Sequence, residues 1–191
     1  MIERRAPRIF ISAGEPSGDL PAPVVGALRD RYPGASIEAL GGPRMEQAGA
    51  MLRYRMEGLA AFGVVEVVTK IRAHYRLLRA LREDFRSGRY DLVILVDYPG
   101  FHLRVAEAAH AAGTKVLYYI APQLWAWRPG RARRLAAAVD RLAVVLPFEQ
   151  TFFSELGLRS EYVGHPLVDG KTWPTREIGR ASCRERVFGY V

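Results

Sequence analysis

The sequence contains a single cysteine, Cys183, among its 191 residues. One thiol cannot form a disulfide within the chain or supply a cysteine-based metal cluster. The four histidines are scattered, and no two of them have the HxH or HxxxH spacing that is typical of metal ligands. We therefore predict a protein without internal disulfides and without a metal site.

Long apolar runs are also lacking. A helix that crosses a bilayer needs about 20 apolar residues, and the longest runs in this chain are far shorter. Residues 1–8 contain three arginines, but the apolar run after them is short and enters a glycine-rich turn, so we expect no signal peptide. The composition, 49% hydrophobic and 25% charged, is that of a soluble globular protein, for which we predict a cytoplasmic location.

Acidic residues are fewer than basic ones. The chain contains 20 Asp and Glu residues and 28 Lys and Arg residues, which gives a net charge of +8. Such an excess suits a polyanionic partner: nucleic acid, an anionic membrane surface or a phosphorylated substrate. Charge alone does not choose among the three. The chain has no recognised nucleic-acid-binding motif, so we expect no nucleic-acid partner.

Strand and helix patterns alternate regularly along the chain. The clearest strand, residues 92–96, consists of five consecutive aliphatic residues, which is typical of a strand buried on both faces. At least six strands with five helices between them predict an α/β fold with a doubly wound, Rossmann-like parallel sheet. The predicted strands cover residues 8–12, 37–40, 92–96, 115–120, 141–146 and 161–163.

Asp97 directly follows the central strand, and Pro99 and Gly100 then force the chain to turn. In an open α/β sheet, ligands bind outside the carboxyl ends of the strands. Asp97 therefore lies where such a fold places its chemistry. The alternative is that its carboxylate caps the next helix or closes a turn, and the residues alone leave both roles open.

A glycine-rich turn, residues 13–19, follows the first strand and opens a helix, as ligand-binding turns of nucleotide folds do. It is neither GxGxxG nor a P-loop, so it predicts neither dinucleotide nor ATP binding. Glu15 and Asp19 would repel a phosphate and suit sugar hydroxyls better. Helix capping explains these side chains equally well.

Two tryptophans, Trp125 and Trp127, lie beside Arg128 after the strand at 115–120. Two indole rings in a loop that follows a strand offer a platform for a sugar ring or an acyl chain. Packing within the domain is the alternative, and the sequence does not separate the two.

Residues 62–82 predict a basic amphipathic helix, because apolar residues recur along one face of it and arginines flank them. Such a helix can lie on an anionic membrane surface. Alternatively, the stripe packs on the sheet and the arginines remain in solvent. The stripe consists of Val64, Val67, Val68, Ile71, Tyr75 and Leu78, and Arg72 and Arg76 are among the flanking residues.

Seven short stretches together resemble the lipid-A-disaccharide synthase family. Each is weak alone, but they occur in the family's order along residues 8–170, which makes the set specific. The stretches are 13–19 (AGEPSGD), 42–45 (GPRM), 63–67 (GVVEV), 97–101 (DYPGF), 125–128 (WAWR), 146–149 (LPFE) and 164–166 (GHP).

The resemblance implies an inverting glycosyltransferase of the GT-B type, in which two Rossmann-like domains face a cleft. Such enzymes transfer 2,3-diacylglucosamine from UDP-2,3-diacylglucosamine to 2,3-diacylglucosamine 1-phosphate (lipid X) and release UDP, without a metal or other cofactor. They act in lipid A synthesis as peripheral proteins on the anionic cytoplasmic face of the inner membrane. Homodimer formation by the full-length protein is left open.

By this resemblance, residues 1–172 are the N-terminal, acceptor-side domain, and the nucleotide-sugar domain is absent, so we expect the chain to be inactive alone. Residues 173–191 lack a clear period, and we expect a non-native or disordered tail there. One rival interpretation is another UDP-sugar enzyme, such as a peptidoglycan glycosyltransferase or a UDP-N-acetylglucosamine epimerase. The other is a non-catalytic module that binds membrane surfaces.

The resemblance also implies roles for particular residues, and Asp97 falls on the family's proposed catalytic base. Many members have an acidic residue where Gly100 stands and asparagine where His102 stands, so this chain departs from the family beside the base. Substrate contacts are expected from Glu15, Ser17, Gly18, Asp19, Trp125 and Arg128. Membrane contacts are expected from Val64, Val67, Val68, Ile71, Arg72, Tyr75, Arg76 and Leu78.

Overall fold

The computed structural model describes residues 5–14, 21–55, 64–123 and 129–166, with the backbone alone for residues 64–70 and 129. Within these residues, seven strands alternate with six helices. The strands are β1 (Arg8–Ala13), β2 (Ser36–Gly41), β3 (Met51–Arg55), β4 (Leu92–Val96), β5 (Lys115–Tyr119), β6 (Arg141–Val144) and β7 (Ser160–Tyr162). The helices are α1 (Ala22–Arg31), α2 (Pro43–Gln47), α3 (Val64–Arg86), α4 (Pro99–Ala111), α5 (Pro129–Ala138) and α6 (Pro147–Glu155).

All seven strands pair in parallel, in the order β3-β2-β1-β4-β5-β6-β7. The order changes direction at the β1–β4 pair, where Ala13 lies opposite Val96. In doubly wound folds, ligands bind outside the carboxyl ends of the strands at such a switch point. The predicted fold class is confirmed, and Asp97 follows one of the two strands that form the switch.

Both faces of the sheet are covered by helices. Helices α1 and α2 pack on one face, and α3, α4, α5 and α6 pack on the other. Successive residues of β4 alternate between the two cores, with Val93 and Leu95 in one and Ile94 and Val96 in the other. This confirms the prediction that the strand is buried on both faces.

Strand β3 is not among the strands predicted from the sequence. It pairs only with β2 at the edge of the sheet, and it contains two arginines and Met51, which is 57% exposed. Edge strands favour charged side chains, and they therefore lack the continuous apolar run by which β4 is recognised. The predicted strand at 115–120 ends one residue early, because Ile120 turns the chain with a φ of 64°.

Helix α3 is much longer than the strand that follows it. Its 23 residues span about 35 Å, whereas the five residues of β4 span about 17 Å. Leu78 is 3% exposed in the core, but Ile71, two helical turns earlier on a similar face, is 51% exposed. The membrane contact expected of Leu78 is therefore wrong, because the helix covers the sheet at Leu78 and extends past it at Ile71.

Candidate active site

The chain makes an uncommon turn between β4 and α4. Asp97 and Tyr98 both have a φ of 50°, in the left-handed region that non-glycine residues rarely adopt. Aspartate tolerates this region better than most residues, whereas tyrosine has no such advantage. Residues in such conformations cost on the order of 1–3 kcal/mol each and cluster at functional sites. The backbone thus independently marks the position that the sequence pattern selects.

The structure does not support a helix-capping role for Asp97. The N-cap residue of α4 is Tyr98, and no side-chain hydrogen bond caps this helix. The hydrogen bonds that Asp97 makes with described residues all use its main chain. Asp97 is partly exposed and lies at the switch point of the sheet, where ligands of such folds bind.

The main chain of Asp97 is held by two neighbouring elements. Nδ1 of His102, in α4, donates a hydrogen bond to the Asp97 carbonyl oxygen at 2.7 Å, and the Tyr118 hydroxyl, in β5, donates to the same oxygen at 2.5 Å. The Asp97 N–H donates to the carbonyl oxygen of Tyr119 at 3.2 Å. Two donors on one carbonyl fix the orientation of the left-handed peptide and so of the side chain that it carries.

His102 is completely buried and links this turn to β1. Since a carbonyl oxygen can only accept, Nδ1 carries the ring proton, and Nε2 accepts a hydrogen bond from the Ser12 hydroxyl at 2.7 Å. Burial lowers the pKa of His102 to about 4, so the ring is neutral at physiological pH. Burial, together with the charge of Asp97, raises the pKa of Tyr118 well above its usual value and keeps its hydroxyl a donor.

Tyr98 joins the turn to β1 and to α3. Its ring lies directly over Gly14, where an added Cβ atom would come within 2.0 Å of the ring. Real Cβ atoms essentially never approach another atom this closely, so only glycine fits beneath Tyr98. The Tyr98 hydroxyl is 2.6 Å from Nε2 of His74, in α3. The end of β1, the Asp97 turn and α3 therefore form one packed unit.

The predicted substrate contacts are not placed by the structure. The segments that hold them follow β1 and β5, which are the two strands that pair with β4. Glu15, Ser17, Gly18, Asp19, Trp125 and Arg128 lie outside the described residues.

The predicted membrane contacts are placed in part. The side chains of Ile71, Arg72, Tyr75 and Arg76 are exposed, and those of Val64, Val67 and Val68 lie outside the description. No helix in the described ranges is long and apolar enough to cross a membrane. The same ranges contain no group of three or more His, Cys, Asp or Glu residues that could hold a metal ion.

The residues that hold Asp97 in place are not predicted from the sequence. In the sequence His102 stands out only as a departure from the family, and no role is predicted for Ser12 or Tyr118. One signal was available for His102: it is a polar residue among the apolar residues of α4, a helix whose inner face includes Phe101 and Val105. A buried polar side chain in such a position requires a hydrogen-bond partner.

Comparison with known proteins assigns the family. A family model described as lipid-A-disaccharide synthetase matches residues 9–185, which include Asp97 and the elements around it. The chain belongs to this family. The match continues past residue 172, the predicted end of the domain.

Lipid-A-disaccharide synthases from several bacteria are similar to the chain. The one from Geobacter sulfurreducens is 44% identical over 172 residues, which are 88% of this chain and 44% of the relative. The one from Nitrosococcus oceani is 41% identical over 167 residues, which are 87% of this chain and 43% of the relative. The chain thus spans less than half the length of these relatives.

A solved structure supports the fold of this family domain. The UDP-GlcNAc 2-epimerase from Neisseria meningitidis, in its complex with UDP-GlcNAc, matches 79% of this chain and 43% of its own chain, with a TM-score of 0.54. At 11% sequence identity the likeness shows the fold alone. The fold is the Rossmann-like half of a GT-B type protein, as predicted.

Proposed function

We propose that this chain supplies the acceptor-side domain of a lipid A biosynthesis glycosyltransferase. The complete enzyme transfers 2,3-diacylglucosamine from UDP-2,3-diacylglucosamine to 2,3-diacylglucosamine 1-phosphate and releases UDP. The observation that carries this proposal is the Asp97 carboxylate, which is not used as a cap and is held at the switch point of a domain of this family. Residues 1–172 form the domain, and the nucleotide-sugar domain corresponds to the remaining length of the relatives.

In the proposed reaction, Asp97 is the general base. It accepts the proton of the acceptor 6-hydroxyl as that oxygen attacks the anomeric carbon of the donor. The new glycosidic bond forms while the bond from the anomeric carbon to UDP breaks, and UDP leaves with the bonding electrons. Attack from the side opposite UDP inverts the anomeric centre. No metal or other cofactor takes part in this scheme.

Substrate contacts in this proposal come from the segments that follow β1 and β5. These segments leave the strands on either side of β4, so residues on them can approach a sugar bound at Asp97. The contacting residues are proposed to be Glu15, Ser17, Gly18, Asp19, Trp125 and Arg128.

The proposal can be tested by completing the chain with the C-terminal remainder of the Geobacter sulfurreducens relative, giving a protein we call the completed enzyme. We expect it to release UDP and to form the disaccharide from the two diacylated substrates, whereas the 191-residue chain alone forms none. The intact Geobacter sulfurreducens enzyme serves as the positive control. A folded completed enzyme that forms no disaccharide would contradict the proposal, and turnover of UDP-GlcNAc instead would favour an epimerase.

The exposed part of α3 is proposed to contact the anionic cytoplasmic surface of the inner membrane. Ile71 and Tyr75 are exposed large apolar residues that lie among the exposed arginines Arg72 and Arg76. An apolar face beside basic side chains is the combination that binds anionic interfaces. The proposal excludes the other residue of the predicted stripe with a described side chain, Leu78, which is buried.

Replacing Arg72 and Arg76 together with glutamine is expected to weaken binding of the chain to vesicles that contain anionic lipid by roughly 30-fold, since each basic residue near such a surface contributes about 1 kcal/mol. Co-sedimentation measures this binding. The control replaces Arg31 and Arg141 with glutamine, which removes the same amount of charge. Both residues are exposed near the amino ends of the strands, away from the exposed part of α3. Equal weakening of vesicle binding by both pairs of substitutions would show that binding depends only on the net charge of the chain.

A further inference from the structure

A groove lies between α3 and the first turns of α4, next to the candidate base. Its volume is about 250 Å³. Leu78 and Phe101, which are almost fully buried, contribute to its lining, and so do Ile71 and Tyr75. We call it the α3–α4 groove. Its walls are mainly apolar and open to solvent, which suits a narrow apolar ligand better than a sugar ring.

Two features connect the α3–α4 groove to the reaction. Tyr98, which directly follows Asp97 in the chain, also lines the groove. Arg104 lines it as well, and its guanidinium group lies 5.9 Å from the centre of the Tyr75 ring. A ligand in the groove therefore has the catalytic turn near it and a cation available for an anionic group.

Gly100 keeps the groove open. It lines the groove, and a Cβ atom added to it would have no other atom within 4 Å. A side chain can therefore begin at this position without a clash at its Cβ atom. Gly100 is thus a site at which the groove can be filled while the domain remains intact.

We propose that the α3–α4 groove binds one acyl chain of the diacylated acceptor, with Arg104 close to the acceptor phosphate. The inference rests on the proposed function, and it assigns the selectivity of the enzyme for acyl chains to this groove. The apolar walls suit an acyl chain, and Arg104 suits the phosphate. Tyr98 lines the groove directly beside Asp97, so an acceptor held there would have its sugar close to the base. Because the groove lies beside Asp97, which is proposed to accept the proton of the acceptor, it suits an acyl chain of the acceptor better than one of the donor.

The test compares acceptors with short and long acyl chains in the completed enzyme. Each methylene that enters an apolar site strengthens binding about fourfold, so the KM of the unaltered protein falls as the acyl chain lengthens. Gly100→Leu fills the groove and is expected to raise the KM for the long-chain acceptor by roughly 15-fold, the effect of about two methylenes. The KM for the short-chain acceptor and both kcat values change little.

The matched control is Gly130→Leu. Both α4 and α5 begin with a Pro-Gly pair, and a Cβ atom at Gly130 also meets nothing within 4 Å. The control is expected to leave the dependence of KM on acyl-chain length unchanged. In addition, Arg104→Gln is expected to raise the KM of the phosphorylated acceptor but not that of the same acceptor without its phosphate.

Several outcomes would overturn the inference. One is an equal rise in KM for both chain lengths in Gly100→Leu, and another is no rise for either. A loss of vesicle binding in Gly100→Leu that matches its loss of acceptor affinity would assign the groove to bilayer lipid instead. Failure of the proposed function has a different signature, because the unaltered completed enzyme would then turn over neither acceptor.

Discussion

The Asp97→Asn variant of the completed enzyme should transfer sugar about 10²–10⁴-fold more slowly, which is the usual contribution of a general base. Asparagine has nearly the same shape as aspartate, and both residues tolerate the left-handed conformation that this position requires. The hydrogen bonds at this position use the main chain and should therefore persist. The substitution thus removes the base without removing the turn, and kcat for UDP release measures the effect.

A matched aspartate lies at the other end of the same strand. Asp91 immediately precedes β4 and forms an ion pair with Arg8 at 2.8 Å. Asp91→Asn is expected to leave kcat within a factor of about two, because exposed ion pairs contribute little even to stability. If Asp97→Asn remained as active as Asp91→Asn, another residue would have to act as the base.

The second large effect is expected at His102, and it concerns stability. His102→Leu should lower the free energy of unfolding by about 2–4 kcal/mol, because a buried polar group that loses its partner costs about 1–3 kcal/mol. The Ser12 hydroxyl loses its partner, and the Asp97 carbonyl retains only Tyr118. Urea denaturation of the 191-residue chain measures the change. A loss below about 0.5 kcal/mol, as at ordinary surface positions, would contradict the role assigned to this network.

His102 should also make stability depend on pH. Its pKa is about 4 in the folded protein and about 6.5 in an unfolded chain, so the folded state binds fewer protons between these values. The contribution of the neutral ring is therefore fully present above about pH 6.5 and is lost as the pH falls towards 4. His102→Asn should flatten this part of the stability curve, whereas the control His110→Asn, at an exposed position, should not.

The fold was largely predictable because its strongest signals are local. The aliphatic run at 92–96 identifies β4 without any knowledge of its partners, and parallel strands separated by helices then imply the doubly wound sheet. Asp97 was predictable for the same reason, because its place follows from where the strand ends. Strand β3 was not, since an edge strand with two arginines carries no comparable apolar run.

The surroundings of Asp97 could not be derived in this way. Ser12 and His102 are separated by 90 positions in the chain, and their hydrogen bond depends on how β1 and α4 meet across the sheet. The error at Leu78 has a similar origin. Helical periodicity identifies an apolar face, but it does not show where along a 23-residue helix the sheet beneath that face ends.

The contact between Gly14 and Tyr98 has a consequence for how this domain can evolve. Because the ring occupies the space of a Cβ atom at position 14, a change from glycine there is tolerated only if the side chain at position 98 becomes smaller or moves away. The two positions should therefore covary among related sequences, although they lie on different loops. Any redesign of the loop that follows β1 therefore has to consider the side chain at position 98 together with that at position 14.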